Sequence, residues 1–487
     1  MFSPAKQVGG SGVAAPAADA PYARRWVMLP VLLAAMFMVQ FDLFVVNVAA
    51  PSLAQDLHAG QAALELIVAG YGFTYAAGLV TGGRLGDLLS PRVMFLGGTV
   101  AFTAASLLCG LAQNSGELVA ARLLQGLTGA AMVPQVLALI TAVFPPAERA
   151  RAMGWFGVAM GLGGVAGQVL GGALLEGNVL DLGWRIIFLV NVPIGLVAMI
   201  LALNLLPRTA SGARPKLDPI GAIGVSGSLA LALIPLVLGR AEGWPLWGWI
   251  MLIASVPAMV LSLRWESVLS RRGGQPLLDL VLFRNAVFNR GLIVSLGVFA
   301  AFYSFMFALT LVLQSGLGLT PLEAGYTFAP LAIAFAGASL VAPRKVATYG
   351  SRLVTTGIVI AAVGMLAAIV VLQASGSDTS ARLLIGPMIL IGFGNGLAVP
   401  VLAGVVLAGA RPANAGAAAG VLTTIQQFAS AAGVASIGAV FFTVLGDHRD
   451  VAKFAQSLEW VLGIGLVLIL VAGVTSLKLP RPPKPTG

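Results

Sequence analysis

Long apolar runs dominate the chain. Fourteen of them, each near the roughly 20 residues a helix needs to cross hydrocarbon, follow one another from residue 27 to residue 476 with short polar breaks between. The pattern predicts an all-α, polytopic membrane protein, its first helix over 27–50 and its eighth over 246–263. Residues 1–26 and 477–487 carry no such run; the first of these tails, rich in Ala, Gly and Pro, is expected to be disordered. Arg24 and Arg25 ahead of the first run could mark a signal peptide, but that run is longer than a signal core and holds an acid, Asp42, so it is expected to be retained.

Within this pattern the chain repeats itself. GRLGDLLSPRVMFLGG, from Gly83, follows the second run, and PRKVATYGSRLVTTG, from Pro343, follows the tenth; at an offset of 260, Arg84 meets Arg344, Arg92 meets Arg352 and Gly97 meets Gly357. QGLTGAAMVP from Gln125 and IGFGNGLAVP from Ile391 echo each other at an offset of 266. The architecture that follows is a six-helix bundle over 27–206, a linker with two extra helices over 207–290, and a second six-helix bundle over 291–476. Repeats of this kind place a transport site near the bilayer midplane, where they meet.

Composition and charge sharpen the picture. Of 487 residues, 58% are hydrophobic and 9% charged, against roughly 25% charged in a soluble domain. Of the 28 Lys and Arg, 22 fall in the tails and the loops on the tail side, five on the opposite side, and one, Arg122, inside a run. The net charge of +10 is therefore a topology signal, with both termini cytoplasmic and the chain multi-pass in a cell (inner) membrane, and not the footprint of a nucleic-acid partner. The heavy use of Ala, Gly and Pro points to a GC-rich bacterium. The single Cys109 excludes an intrachain disulfide, and His58 and His448 lie in separate loops, so no metal site is expected.

Candidate chemistry starts from charge in the wrong solvent. Asp42, inside FMVQFDLFVVNVAAP, and Arg122 are the acid and base placed well within predicted spans, where each charge costs a few kcal/mol. Counted back from the outer ends of their runs, Asp42 lies roughly 12 Å deep and Arg122 about 6 Å, within reach of an arginine side chain. A pair is expected. A carboxylate that can be neutralised by a proton or by Arg122 would exchange protons whenever a movement changes its water access or its distance from the guanidinium. The plainer alternative is that Asp42 only ties helices 1 and 4 together.

The second half has no clear buried acid. Glu323 falls near the outer end of the tenth run, and where the repeat sets the counterpart of Asp42 stands FAAFYSFMF, with Phe302, Tyr303 and Met306. Such an aromatic wall suits a flat, lipophilic substrate, cations included, though any single ring more often packs between helices or faces lipid. Asn47, Gln125, Gln426 and Gln427 are polar groups within spans, which must find partners there, and are counted with the rings as substrate contacts. Gly163, Gly167 and Gly171, at four-residue spacing beside Gln168, form one face on which another helix can approach closely.

Several of these segments together resemble the major facilitator superfamily and, within it, the fourteen-span drug:proton antiporters. FDLFVVNVAAPSL is similar to that family's first-helix motif at Asp42, Asn47, Ala49 and Pro51; RLLQGLTGAAMVP matches the helix 4 motif at Arg122, Gln125, Gly126, Gly129, Ala130 and Ala131. GRLGDLLSPR resembles the loop signature after helix 2 at Gly83, Leu85, Asp87 and Arg92, with Ser90 where Gly is usual and Leu88 and Pro91 where basic residues are common. GLGGVAGQVLGG resembles the helix 5 antiporter motif but has Gln168 where Pro is common, while GWRIIFLVNVPIG and LQSGLGLTPLEAG are similar to further fourteen-span segments.

The resemblance implies a transporter that exports small amphipathic or lipophilic toxic compounds in exchange for protons by alternating access. In it Asp42 and Arg122 couple protons, Gly83, Asp87 and Arg92 form a gating loop, and the glycine seam of helix 5 limits proton leak. Export of a self-made metabolite or antibiotic by the same mechanism is the alternative. A catalytic cluster, a phosphate-binding loop and paired metal ligands are all missing from the sequence, so no enzyme, cofactor or ATP drive is expected. A channel would need a repeated filter element, and none appears.

Overall fold

The protein is described here by a computed structural model covering residues 22–207, 218–239, 242–274, 276, 280–408, 415–446 and 450–480. Most of both expected tails, and His448, lie outside these residues. Among the described residues every regular element is helical, and fourteen helices are long and apolar enough to cross a membrane. In chain order they are α1 Arg25–Asp56, α2 Gln61–Leu89, α3 Pro91–Leu111, α4 Ser115–Val143 and α5 Pro146–Glu176. Next come α6, a span over Gly183–Leu205 entered through a short 3-10 turn, and the inserted pair α7 Pro219–Leu238 and α8 Leu246–Arg271. The last six are α9 Ala286–Leu311, α10 Pro321–Tyr349, α11 Arg352–Ser375, α12 Ala381–Ala408, α13 Ala415–Leu445 and α14 Val451–Ser476.

Polar residues set the helix ends. Asn114 accepts from the Glu117 backbone N–H at 2.9 Å to start α4, Asn285 and Asp450 do the same for α9 and α14, and Thr320 with Glu323 closes a reciprocal capping box on α10. Each satisfies N–H groups that a helix leaves open at its first turn. Glu323, the acid noted near the end of the tenth run, is thus a cap.

The repeat read from the sequence is also a repeat of contacts. In the first half α1 packs on α5, α2 on α4 and α3 on α4; in the second, α9 packs on α13, α10 on α12 and α11 on α12. Gly126 of α4 sits against the carbonyl of Tyr71, and Gly392 of α12 sits against that of Leu331. A side chain on either would collide with backbone, and the paired positions differ by the same 266 and 260 that relate the sequence segments. The halves meet along two lines, α5 against α10 and α12, and α13 against α2 and α4. The inserted pair covers one of these seams from outside. α7 packs on α2 and α13, with Thr81 and Ser226 hydroxyls 3.1 Å apart, while α8 packs on α7 and exposes Trp249, Ile253 and Val256.

One expectation holds and one is corrected. The first apolar span ends at Ala50, which keeps Asp42 roughly 12 Å deep although α1 itself runs on to Asp56. α8 runs to Arg271 and carries a fully buried Glu266, so Asp42 and Arg122 are not the sole charged pair of groups within the membrane helices. Hydrocarbon thickness limits the apolar run, whereas a helix continues into the polar boundary until a cap or turn ends it.

Candidate functional site

Two sites lie back to back on α1. Residues two apart on a helix point about 200° around its axis from each other, so Gln40 and Asp42 look in nearly opposite directions. Asp42 turns into the first half, where its side chain is 0% exposed.

There Asp42 Oδ2 accepts from Arg122 Nη1 of α4, and Oδ1 accepts from Gln125 Nε2 at 3.0 Å and from Asn191 Nδ2 of α6 at 3.2 Å. Arg122, also 0% exposed, gives its Nε to the Ile67 carbonyl at 2.9 Å and bonds Gln125 Oε1 through Nη1 at 2.8 Å. Its Nη2 has no hydrogen-bond partner among the described residues. The guanidinium carbon lies 4.4 Å from the Tyr71 ring centroid and 5.6 Å from that of Phe188, which suits a cation screened by π-faces. Gln125 is held in turn by Ser106 Oγ at 2.7 Å and by the Cys109 thiol, which donates to its Oε1 at 3.5 Å. Five helices thus converge on one ion pair. Such a pair survives burial because further hydrogen bonds occupy its remaining donors and acceptors.

The other face of α1 lines a small cavity of about 40 Å³ between the halves, room for a few waters with the halves packed as they are. Gln40 and Phe44 come from α1, Met160, Gly164 and Val165 from α5, and Phe299, Phe302, Tyr303 and Met306 from α9. Phe335 of α10 and Asn395 of α12 close it. Gln40 Nε2 donates to the Tyr303 hydroxyl at 3.2 Å, a hydrogen bond between the two halves.

The glycine seam joins these sites. A Cβ on Gly163 would lie 2.8 Å from Gln40 Cβ, and one on Gly167 would lie 2.7 Å from the Phe41 carbonyl and 3.0 Å from Phe44 Cβ. One on Gly171 would meet Val45 Cγ2 at 2.6 Å. These glycines bring α5 onto the stretch of α1 that holds Gln40, Asp42 and Phe44. Gln168 is buried within α5, which has no internal proline.

The expected gating loop is helical on both sides of Ser90: in the last two turns of α2 Gly83 is buried and Asp87 pairs with Arg84 at 3.8 Å, and at the start of α3 Arg92 Nη2 donates to the Leu203 carbonyl at 2.7 Å. Arg92 thereby caps the end of α6 within its own half, favourable for a cation at a helix C-terminus. Ser90 has φ +96°, a region L-residues avoid, and its Oγ accepts from the Val93 N–H to start α3. The position favours glycine for its backbone and serine for its cap.

Of the residues taken as substrate contacts, the structure brings Phe302, Tyr303 and Met306 to the cavity. Gln125 does not reach it, being committed to Asp42 and Ser106. Asn47 is exposed one turn beyond Phe44 and donates to the carbonyls of Leu43 and Phe44 in its own helix, both at 3.3 Å. Gln426 and Gln427 lie in α13 outside the cavity lining. Position along a span fixes depth, not direction around the helix. The residues missed are Asn191, Gln40 and Asn395. Each is an amide inside an apolar run, the signal that had singled out Gln426.

Comparisons with known proteins agree with this architecture. A relative from Streptomyces coelicolor named "Probable actinorhodin transporter" is 39% identical over 88% of this chain and 74% of its own. The Tetracenomycin C resistance and export protein of Streptomyces glaucescens is 32% identical over 90% of this chain and 80% of its own. Among solved structures, the proton:xylose symporter XylE superposes with a TM-score of 0.65 at 14% identity, covering 94% of this chain and 96% of that one; this likeness speaks for the fold alone. The family model described as Major Facilitator Superfamily matches residues 32–434. The chain belongs to the Major Facilitator Superfamily and is a multi-pass membrane transporter, not an enzyme.

Proposed function

We propose that the protein exports lipophilic, drug-like or antibiotic molecules in exchange for protons, from a bacterial inner membrane with both termini in the cytoplasm. The observation that carries this reading is the buried Asp42–Arg122 pair on the back of a helix whose front lines the cavity. A proton on Asp42 removes the charge that Arg122 faces and weakens the tie between α1 and α4. Water access to α1 then changes with the tilt of α1, which also carries Gln40 and Phe44 at the cargo site. Cargo and proton alternate because both act on one helix. Neither nucleotide nor metal takes part.

The face that bears both chain ends is closed by contacts between halves. Gly420 of α13 lies against α2, where an added Cβ would be 3.2 Å from Val80 Cα, and Gly157 of α5 lies against Pro400 and Ser339. Export requires that these seams part to admit cargo. Similarity to relatives named for actinorhodin and for tetracenomycin C favours, as a second reading, a self-made antibiotic as the cargo.

The test is reconstitution of full-length protein in liposomes with an internal pH dye, adding a panel of flat aromatic antibiotics and lipophilic cations. Wild type is expected to move protons only when cargo moves, and Asp42→Asn to bind cargo without proton movement. Proton movement that persists in Asp42→Asn would remove this carboxylate from the mechanism.

A further inference from the structure

We infer that the lining of this cavity, once the halves part to admit cargo, selects flat, uncharged aromatic molecules bearing hydroxyl groups over lipophilic cations of the same size. The inference deepens the reading of this cavity as the cargo site and rests on it.

Shape comes first. The Tyr303 ring is stacked with Phe44 at 5.8 Å and 23°, and with Phe299 at 6.0 Å and 14°, so three near-parallel rings from both halves line the cavity. Phe302 and Phe335, 6.5 Å apart, flank it. Planar aromatic cargo gains most from such rings.

Charge comes next. No Asp, Glu, Lys, Arg or His is among the described residues of the lining. The carboxylate on the same helix, Asp42, faces the other way and is occupied by Arg122, Gln125 and Asn191. A cation entering the cavity would shed water without gaining a counter-ion, and the ring faces return only part of that cost.

Polar groups complete the pattern. Asn395 gives its Nδ2 to the Ile391 carbonyl at 2.8 Å, leaving Oδ1 an acceptor with no partner among the described residues. Gln40 gives its Nε2 to the Tyr303 hydroxyl, leaving Oε1 in the same condition. Tyr303 accepts that bond and retains its own O–H to donate. Two acceptors and one donor among near-parallel aromatic rings match cargo with hydroxyl groups and a ring carbonyl, the pattern of a hydroxyquinone. A site built to bond hydroxyls discriminates strongly against analogues without them, because its own polar groups are then left bare.

The experiment is equilibrium binding to purified full-length protein at one pH without a gradient, using dihydroxyanthraquinone, anthraquinone and the permanent cation N-methylacridinium. Dihydroxyanthraquinone is expected to bind about 10-fold tighter than the cation and about 5-fold tighter than anthraquinone. Asn395→Leu should weaken dihydroxyanthraquinone about 3- to 10-fold and leave anthraquinone unchanged, whereas Tyr303→Phe, which removes the donor to a ring carbonyl, should weaken both. Tightest binding of the cation, equal binding of all three, or binding of none would overturn the inference. Proton coupling is read separately in liposomes, so expected binding without proton-linked transport would sink the antiport reading alone, and proton-linked transport of cations in preference would sink this inference alone.

Discussion

At the scale of residues, the ion pair depends on amides as much as on charge. Asn191, 1% exposed, is one of three donors to the Asp42 carboxylate. Asn191→Leu is expected to lower stability by about 1–3 kcal/mol, the cost of leaving a buried acceptor short of a donor, and to lose most of that cost in an Asp42→Asn background. Thermal unfolding in detergent of the two single variants and the double variant measures the coupling; additive effects would mean that Asn191 does not act through Asp42. Ser90 offers a second case, where φ of +96° and the bond from Val93 pull toward different residues. Ser90→Ala should cost about 1 kcal/mol by losing the cap, whereas Ser90→Gly, which also relieves the backbone, should unfold at or above the wild-type temperature.

What was legible at this scale follows from rarity. Asp42 and Arg122 stood out because charges are scarce within apolar runs, and opposite charges at compatible depth pair for lack of any other counter-ion. Amides are cheaper and commoner, so Asn191, 149 positions along the chain from Asp42, carried no signal that set it apart from Gln426. Gln125 went to the wrong face because a helix apolar all round gives no periodicity from which to read its orientation.

Helices raise a question of spacing. α5 packs on α1 within its own half and on α10 and α12 across the interface. Gly163, Gly167 and Gly171 face α1, while Gly154 and Gly157 face α10 and α12. Gly167→Ala would place a methyl 2.7 Å from the Phe41 carbonyl and is expected to destabilise by about 1–3 kcal/mol through forced separation of α1 from α5. Gly97→Ala in α3, where an added methyl meets nothing within 4 Å, should be neutral or stabilising by up to about 1 kcal/mol. Unfolding of the two variants side by side decides the matter, and equal losses would mean that helix flexibility, not close approach, is what Gly167 supplies. The four-residue glycine spacing was readable from the sequence. Its partner helix was not, since small residues announce a close approach without naming what approaches.

On the scale of the whole molecule, fourteen spans and their repeat were legible because hydrocarbon imposes a length and duplication leaves offsets. Which seams are shut was not, because a contact between halves has no local signature. The contact of Gly420 with Leu79 and Val80 on the face bearing both termini gives a direct check. In a Cys109→Ser background, a disulfide between Val80→Cys and Gly420→Cys is expected to stop transport and reductant to restore it. Undiminished transport in the crosslinked protein would mean that this seam does not open in the cycle.

One feature reaches furthest: the ion pair and the cavity share α1 but no side chain. Cargo recognition and the ion-pair network can therefore vary independently. Substitutions at Phe302, Met306 or Phe335 can redraw what is carried without disturbing Asp42, Arg122, Gln125 or Asn191. A lineage under pressure from a new toxic compound then needs to change only one wall of a room, and a compound designed to block that room will meet resistance there long before the network behind it has to change.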